Sequence, residues 1–181
     1  MKADEGRDIF YWFFNSRNDP KNDPIIIYLS GGPGALSMPS VVTGVGPCTL
    51  NSTDDKVVGT NPWSWNNNAS LLFIDQPAGT GFSKLADDLP LPVREQDTAE
   101  DFHQFLKTFF DDIFPNKSEL PNHLATSSYG GHYGPVYFQH VMESRGHDPD
   151  NAFWGNIQSL IPIDAVIDFT SMAVGGYEMV C

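Results

Sequence analysis

Two glycine-rich segments place groups suited to acyl transfer just after predicted strands. The first to consider surrounds Ser128, in the stretch Ser127-Ser128-Tyr129-Gly130-Gly131. It follows a short apolar run and precedes a predicted helix. A sharp turn of this kind exposes a serine hydroxyl at a helix N-terminus and leaves the next backbone N–H free to bind an oxyanion. The pattern predicts nucleophilic attack by Ser128 on a carbonyl carbon.

The second segment, Gly31-Gly32-Pro33-Gly34, follows a β-branched run. Glycines there let the backbone approach a ligand closely, and one of their N–H groups would supply a second oxyanion donor. Ordinary turns are the alternative interpretation of both segments, because glycine, proline and serine are common in any loop. Thr126, two residues before Ser128, fits a sharp turn poorly, since a small residue is expected there. A phosphate loop is not predicted, because neither GxGxxG nor Gly-Lys-Ser/Thr occurs.

The histidines do not suggest a metal site. His132 and His140 are eight residues apart on one predicted helix, which separates them by about 12 Å, too far to share an ion. His103 flanks the apolar face of another helix. No CxxC motif occurs, so zinc and redox motifs are unsupported. We therefore predict no metal and no cofactor.

The elements that must position these groups alternate between strand and helix. This order favours an α/β fold with a largely parallel sheet and flanking helices. Strands are predicted over 9–15, 25–29, 70–74, 123–127 and 157–163, and helices over 97–114 and from about 130 to 145. In the first helix, phenylalanines recur at spacings of three and four and form one apolar stripe.

Four further details of the chain are expected from local rules. Asp97 or Thr98 would cap the first helix, and Pro115 would stop it. Pro135 is tolerable only in the first turn of the second helix. Residues 84–96 would form a surface loop.

Charge and composition restrict the classes of partner that the chain could bind. The net charge is −13, which disfavours nucleic acid and anionic membranes. The sequence contains no run of 18 apolar residues, so no membrane span is predicted. The polar start of the chain does not resemble a signal peptide. Sequons at Asn51, Asn68 and Asn116 argue weakly for secretion. Cys48 and Cys181 are the two cysteines, and a mutual disulfide is possible but not deducible from sequence.

Several longer motifs occur in the order typical of one family. The chain resembles the serine carboxypeptidases, which are peptidases of the α/β-hydrolase fold. The matching stretches cover most of residues 9–181 and are Tyr28-Leu29-Ser30-Gly31-Gly32-Pro33-Gly34, Gly46-Pro47, Asn61-Pro62-Trp63-Ser64-Trp65-Asn66, the run from Leu72 through Asp75-Gln76-Pro77 to Gly81-Phe82-Ser83, and Ser128-Tyr129-Gly130-Gly131-His132-Tyr133.

The resemblance implies roles for individual residues. Ser128 resembles the acylating nucleophile, and the N–H groups of Gly32 and Tyr129 resemble the oxyanion hole. Ser30, Gly31 and Ser127 fall where family members contact the peptide substrate. The family holds the C-terminal carboxylate with an Asn and two Glu side chains, whereas this chain has Ser30, Ser127 and Gly44 at those places. The resemblance therefore implies exopeptidase selectivity, but this chain lacks the side chains that provide it in the family.

The order of catalytic residues raises a further expectation. An α/β-hydrolase triad runs Ser, Asp, His along the chain, but no histidine follows Asp148 here. We expect residues 1–181 to be a single incomplete hydrolase domain, with base and orienting acid outside it, and to be inactive alone.

Three alternatives stay open: an acyltransferase or esterase on the same scaffold, a non-catalytic remnant, and a shortened gene model. The family resemblance implies a secreted, vacuolar or lysosomal glycoprotein that acts on peptides.

Overall fold

A computed structural model describes residues 2–4, 6–50, 58–144 and 156–180. The strands of these residues are β1 (Lys2–Asp4), β2 (Arg7–Asp8), β3 (Phe10–Phe14), β4 (Ile25–Leu29), β5 (Cys48–Leu50), β6 (Val58–Thr60), β7 (Ser70–Asp75), β8 (Lys84–Leu85), β9 (Asn122–Ser127) and β10 (Ile157–Ile163). The α-helices are α1 (Ser40–Thr43), α2 (Glu95–Thr108), α3 (Gly130–Ser144) and α4 (Phe169–Val180). Shorter helical turns cover Trp65–Asn67, Phe109–Ile113 and Pro115–Lys117.

Five strands form the central sheet in the order β10, β9, β4, β7, β3. The first four run parallel, and β3 pairs with β7 in the antiparallel direction. All five correspond to the strands predicted from sequence. Because parallel neighbours end at the same edge, the segments that follow β4, β7 and β9 leave the sheet side by side. The remaining strands form two small sheets, β1-β2-β8 and β5-β6.

The alternation of side chains along β4 explains how both faces of the sheet are covered. Ile25, Ile27 and Leu29 are fully buried on the face that packs against α2 and α3. Tyr28 points to the opposite face, where it joins Met38 and Val41 from the segment around α1. A strand buried on both sides needs apolar residues at nearly every position, which is the pattern that predicted it.

Helix α2 departs from the prediction at its start. It begins at Glu95, with Arg94 at the N-cap position and no side-chain cap. The predicted cap, Asp97, instead accepts a hydrogen bond from Arg94 at 2.6 Å, and Thr98 bonds back to the carbonyl of Glu95. The cap prediction was wrong because the helix begins at Glu95, which puts Asp97 inside the first turn, where its carboxylate pairs with Arg94.

The end of α2 widens into a π-helical turn at Phe109–Ile113. The extra residue brings both Phe109 and Phe110 fully into the core. Phe109 packs edge-on against Tyr11 and close to Phe114, with ring centroids 5.4 and 4.8 Å away. The aromatic stripe predicted for this helix is therefore the surface that joins it to the sheet.

Helix α3 carries Pro135 in its second turn, one turn later than expected. Proline clashes with the Cβ of the preceding residue, and here that residue is Gly134, which has none. The segment 84–96 is mostly loop, as predicted, apart from the short β8 and the first residues of α2.

The structure bears on three smaller features noted in the sequence: the sequons, the cysteines and the lack of a membrane span. Among the predicted glycosylation sites, Asn68 and Asn116 are exposed, while Asn51 lies outside the described residues. Cys48 is partly buried and has no disulfide partner among the described residues. Cys181 lies outside them, so the pairing of the two cysteines stays untested. No helix in the described ranges combines the length and apolarity that crossing a membrane requires.

Replacing Phe109 with alanine tests the aromatic core. Removal of a fully buried ring should lower the free energy of unfolding by about 3–5 kcal/mol, because a cavity would replace its contacts. Phe169→Ala is the matched control. That ring is 72% exposed, so its loss should cost less than about 0.5 kcal/mol. Urea unfolding measures both, and equal costs would contradict the packing described here.

Candidate active site

Ser128 occupies a tight turn between β9 and α3. Its φ angle is +56°, in the left-handed region that costs a non-glycine residue about 1–2 kcal/mol. The turn is fixed by its backbone: Ser128 N donates to the carbonyl of Ile163 at 3.0 Å, and Ser128 O accepts from Val166 N at 2.8 Å. The residue itself is exposed. The strained turn thus presents a serine hydroxyl to solvent at the start of a helix.

Thr126 does fit below this turn, contrary to the expectation from sequence. It is fully buried, and two helix glycines make the room for it. A Cβ on Gly130 would lie 2.7 Å from Thr126 Cβ, and one on Gly134 would lie 2.7 Å from Thr126 Oγ1. A small residue on the strand usually provides this space. Here Gly130 and Gly134 on the helix provide it instead.

The glycine loop after β4 lies directly against the Ser128 turn. A Cβ on Gly31 would stand only 2.5 Å from Tyr129 N and 2.8 Å from Ser128 Cβ. Only glycine permits this approach of two backbones. The next residue, Gly32, is exposed and has a left-handed φ of +110°. In the described part of the chain, the amides of Gly32 and Tyr129 donate no hydrogen bond. Two N–H groups without an acceptor among the described residues therefore lie in the two segments that meet at the serine turn.

A buried carboxylate at the end of β7 holds the glycine loop in place. Asp75 is fully buried, and its Oδ1 accepts from Ser37 N at 2.7 Å. Ser37 Oγ in turn accepts from Ser30 N at 3.0 Å. The other carboxylate oxygen of Asp75 accepts from Phe82 N at 3.2 Å. The sequence places Asp75 within a motif but does not reveal its role, because its partners are distant along the chain.

A cavity of about 180 Å³ opens beside the turn. Tyrosines of α3 form much of its wall, facing the Pro33–Gly34 loop and the first turn of α2; the lining includes Tyr129, Tyr133, Tyr137, Gln76, Glu95 and Thr98. Tyr137 donates to Gln76 Oε1 at 2.5 Å, and Tyr133 donates to the carbonyl of Ser30. Burial raises the pKa of Tyr133 and of Tyr137 well above the ordinary value. Both phenols therefore stay neutral donors.

The structure brings together most of the residues singled out from sequence. Ser127, Ser128 and Tyr129 meet Gly31 directly, and Ser30 joins them through Tyr133. Gly44 instead follows α1, where its carbonyl accepts from Asn61 Nδ2 at 2.9 Å. His132 lies in the first turn of α3, with its ring 4.9 Å from that of Tyr129.

Sequence reasoning missed one group of polar residues away from this turn. His103 and His140, treated separately in the sequence, approach within 3.2 Å across α2 and α3. No spacing along the chain could reveal the pair, because it depends on how the two helices pack.

The parallel sheet, the strained serine turn and the fold comparison define an α/β-hydrolase. The structure superposes on Kex1(delta)p, a prohormone-processing carboxypeptidase from Saccharomyces cerevisiae, with a TM-score of 0.81 and 27% identity, covering 94% of this chain and 38% of that one. The family model for serine carboxypeptidases matches residues 1–179. The chain belongs to the serine carboxypeptidase family, as its motifs indicated.

Curated relatives support the same assignment. Carboxypeptidase Y homolog A from Fusarium vanettenii is 38% identical over 155 residues, which are 84% of this chain and 28% of the relative. Carboxypeptidase Y from Schizosaccharomyces pombe is 42% identical over 143 residues, which are 79% of this chain and 14% of the relative. The chain thus spans less than a third of the length of these two proteins.

Gly31→Ala tests the close approach of the glycine loop to the serine turn. The added methyl group would collide with the backbone of Ser127 and Tyr129, so we expect a loss of about 1–3 kcal/mol in unfolding free energy. Gly176→Ala is the control, because it lies in α4 with open space around it and should be neutral or slightly stabilising. A Gly31 variant as stable as the parent in thermal unfolding would contradict the geometry.

Proposed function

We propose that this chain carries the acylation site of a serine carboxypeptidase, which cleaves C-terminal peptide bonds through an acyl-serine intermediate. Ser128 is the nucleophile. One observation supports this most strongly: an exposed serine in a strained left-handed turn lies against a glycine loop with free amides. Family membership makes the peptidase reaction the first choice among acyl transfers.

The N–H groups of Gly32 and Tyr129 would form the oxyanion hole. Tyr129 follows Ser128, and Gly32 follows Gly31, which contacts the serine turn. Neither amide has a competing acceptor among the described residues. When a carbonyl carbon becomes tetrahedral, its oxygen gains negative charge. Fixed amides stabilise that charge more than they stabilise the neutral carbonyl. Asp75, by holding the loop that carries Gly32, acts as a positioning residue.

Peptide binding is proposed along the rim formed by Ser30, Gly31 and Ser127. Their backbone groups border the turn, and the aromatic cavity next to it offers an apolar wall for a substrate side chain. The hydroxyls of Ser30 and Ser127 replace the amide and carboxyl groups of the family pattern. They can still donate hydrogen bonds to a carboxylate, but a smaller number.

The general base and its orienting acid are proposed to come from residues outside this sequence. Within the described ranges, no imidazole forms a hydrogen bond with the Ser128 hydroxyl. His132 faces Tyr129 instead. Residues 1–181 would then be one part of a single α/β-hydrolase domain, with low activity when assayed alone.

An acyltransferase or esterase is the second candidate. It is favoured because Ser127 and Gly44 stand where the family has glutamates, and such enzymes do not need to bind a free C-terminal carboxylate. A non-catalytic remnant is the third. The exposed sequons at Asn68 and Asn116 fit a secreted or vacuolar glycoprotein, which we propose from the family resemblance.

Labelling with a serine-directed fluorophosphonate tests the nucleophile. An oxyanion hole alone retains on the order of 10³-fold rate enhancement when triad members are lost. We therefore expect slow modification of the folded chain, located at Ser128 by mass spectrometry and abolished in Ser128→Ala. Ser171→Ala, which removes an exposed hydroxyl on α4, should label like the parent. Labelling spread evenly over serines, or none, would favour the non-catalytic remnant.

Chemical rescue tests the missing base. Release of an amino acid from an N-blocked dipeptide should be slower than in a complete enzyme of the family by on the order of 10⁶. Added imidazole should increase it, because a free base can then accept the Ser128 proton. Ser128→Ala should show no rescue. Full activity without imidazole would place the base inside this chain. Preferential transfer from an activated ester to an alcohol would instead support the acyltransferase.

A further inference from the structure

Three side chains with metal-binding atoms converge on the outer side of α2 and α3. Glu100 and His103 lie one turn apart on α2, and His140 lies opposite them on α3. His103 Nδ1 is 3.2 Å from His140 Nε2. His140 Nε2 is 3.1 Å from Glu100 Oε2. The nearest ligand atoms of all three residues lie within 4.8 Å of one another. They thus surround one point in space.

Two of these separations are close to the edges of a zinc coordination shell. Zn²⁺ binds imidazole nitrogen and carboxylate oxygen at about 2.0–2.2 Å, so two ligands of a tetrahedral ion are separated by about 3.3–3.6 Å. The two edges, 3.2 and 3.1 Å, are short of this by only a few tenths of an ångström. Small rotations of the imidazoles and of the exposed Glu100 side chain would lengthen both edges to those of the coordination shell.

The helices that carry these side chains pack against each other through buried aromatic rings. Phe102 of α2 and Tyr137 of α3 stack with ring centroids 5.0 Å apart. Both rings are buried. Ser144 accompanies the cluster: its hydroxyl donates to the carbonyl of His140 and lies 2.9 Å from His103 Nδ1. On binding, His103 Nδ1 exchanges its contacts with Ser144 and His140 for the ion, while the packing of α2 against α3 keeps both imidazoles close to it, which favours binding.

Electrostatics and ligand type also favour a divalent transition metal. Two neutral imidazoles with one carboxylate form a donor set typical of Zn²⁺ sites, and imidazole is a poor ligand for Mg²⁺ or Ca²⁺. The negative net charge of the chain, −13, raises the local concentration of cations.

We propose that Glu100, His103 and His140 bind one Zn²⁺ ion, or a similar divalent transition metal, with a fourth position open to water. The ion joins α2 to α3. Through α2 it is linked to Glu95 and Thr98 in the cavity wall, and through α3 to the helix that begins beside Ser128. A metal ion bound at this site would hold the two helices of the cavity wall in place from outside the cavity. This proposal does not depend on the acyl-transfer proposal.

Calorimetric titration of the 181-residue chain with Zn²⁺ tests this site. We expect one equivalent to bind. His103→Asn and His140→Asn should each weaken binding by at least about 100-fold, since even the loss of an outer partner costs 10–100-fold. His132→Asn removes an imidazole from the same helix, outside the cluster, and should bind as the parent does. Equal affinity in the parent and the His140 variant would overturn the proposal.

Two further measurements keep the test decisive if a histidine variant fails to fold. Glu100→Gln changes a side chain that is 66% exposed and should keep the fold, yet weaken Zn²⁺ binding by at least tenfold. Co²⁺ in place of Zn²⁺ should give the intense visible bands of a tetrahedral ion, without the charge-transfer band of a thiolate. A thiolate band would assign the metal to Cys48 and contradict the site, as would unchanged affinity in Glu100→Gln.

Discussion

The contact between two backbones, Gly31 on one side and Ser127 to Tyr129 on the other, determines the rest of the site. It exists because β4 and β9 are parallel neighbours and end at the same edge of the sheet. No side chain separates the two segments, so the geometry depends on the sheet and not on flexible groups. The free amides beside Ser128 and the cavity along α3 both follow from this one approach.

The same constraint explains the distribution of strain and small residues. Ser128 is held in a left-handed conformation by backbone hydrogen bonds to Ile163 and Val166, which belong to β10 and the segment after it. The turn is thus stabilised by the neighbouring strand, and the cost of its conformation is met by the surrounding fold. Thr126 shows that the required space can move: two glycines on α3 replace the one that the strand lacks. A motif scored residue by residue would count this as a mismatch, whereas the packing is equivalent.

Much of the fold could be predicted because the relevant signals are local. The buried strands Ile25–Leu29 and Ser70–Asp75 are short apolar runs between turn formers, and Ser128 lies where a strand changes to a helix. What could not be predicted depends on contacts between distant residues. The role of Asp75 needs the positions of Ser37 and Phe82. The pairing of His103 with His140 needs the rotation of two helices about their axes. Asp97 is not the cap because α2 begins two residues earlier, at Glu95.

The buried phenols of the cavity wall set an alkaline limit on the folded state. Tyr133 and Tyr137 have folded-state pKa values above their ordinary value of 10.0 because burial disfavours the phenolate. Below pH 10 both states keep these protons, and stability is unaffected. Above it, the unfolded chain releases protons that the native chain retains, so proton release drives unfolding. The wall that lines the cavity thereby makes this part of the molecule sensitive to strong base.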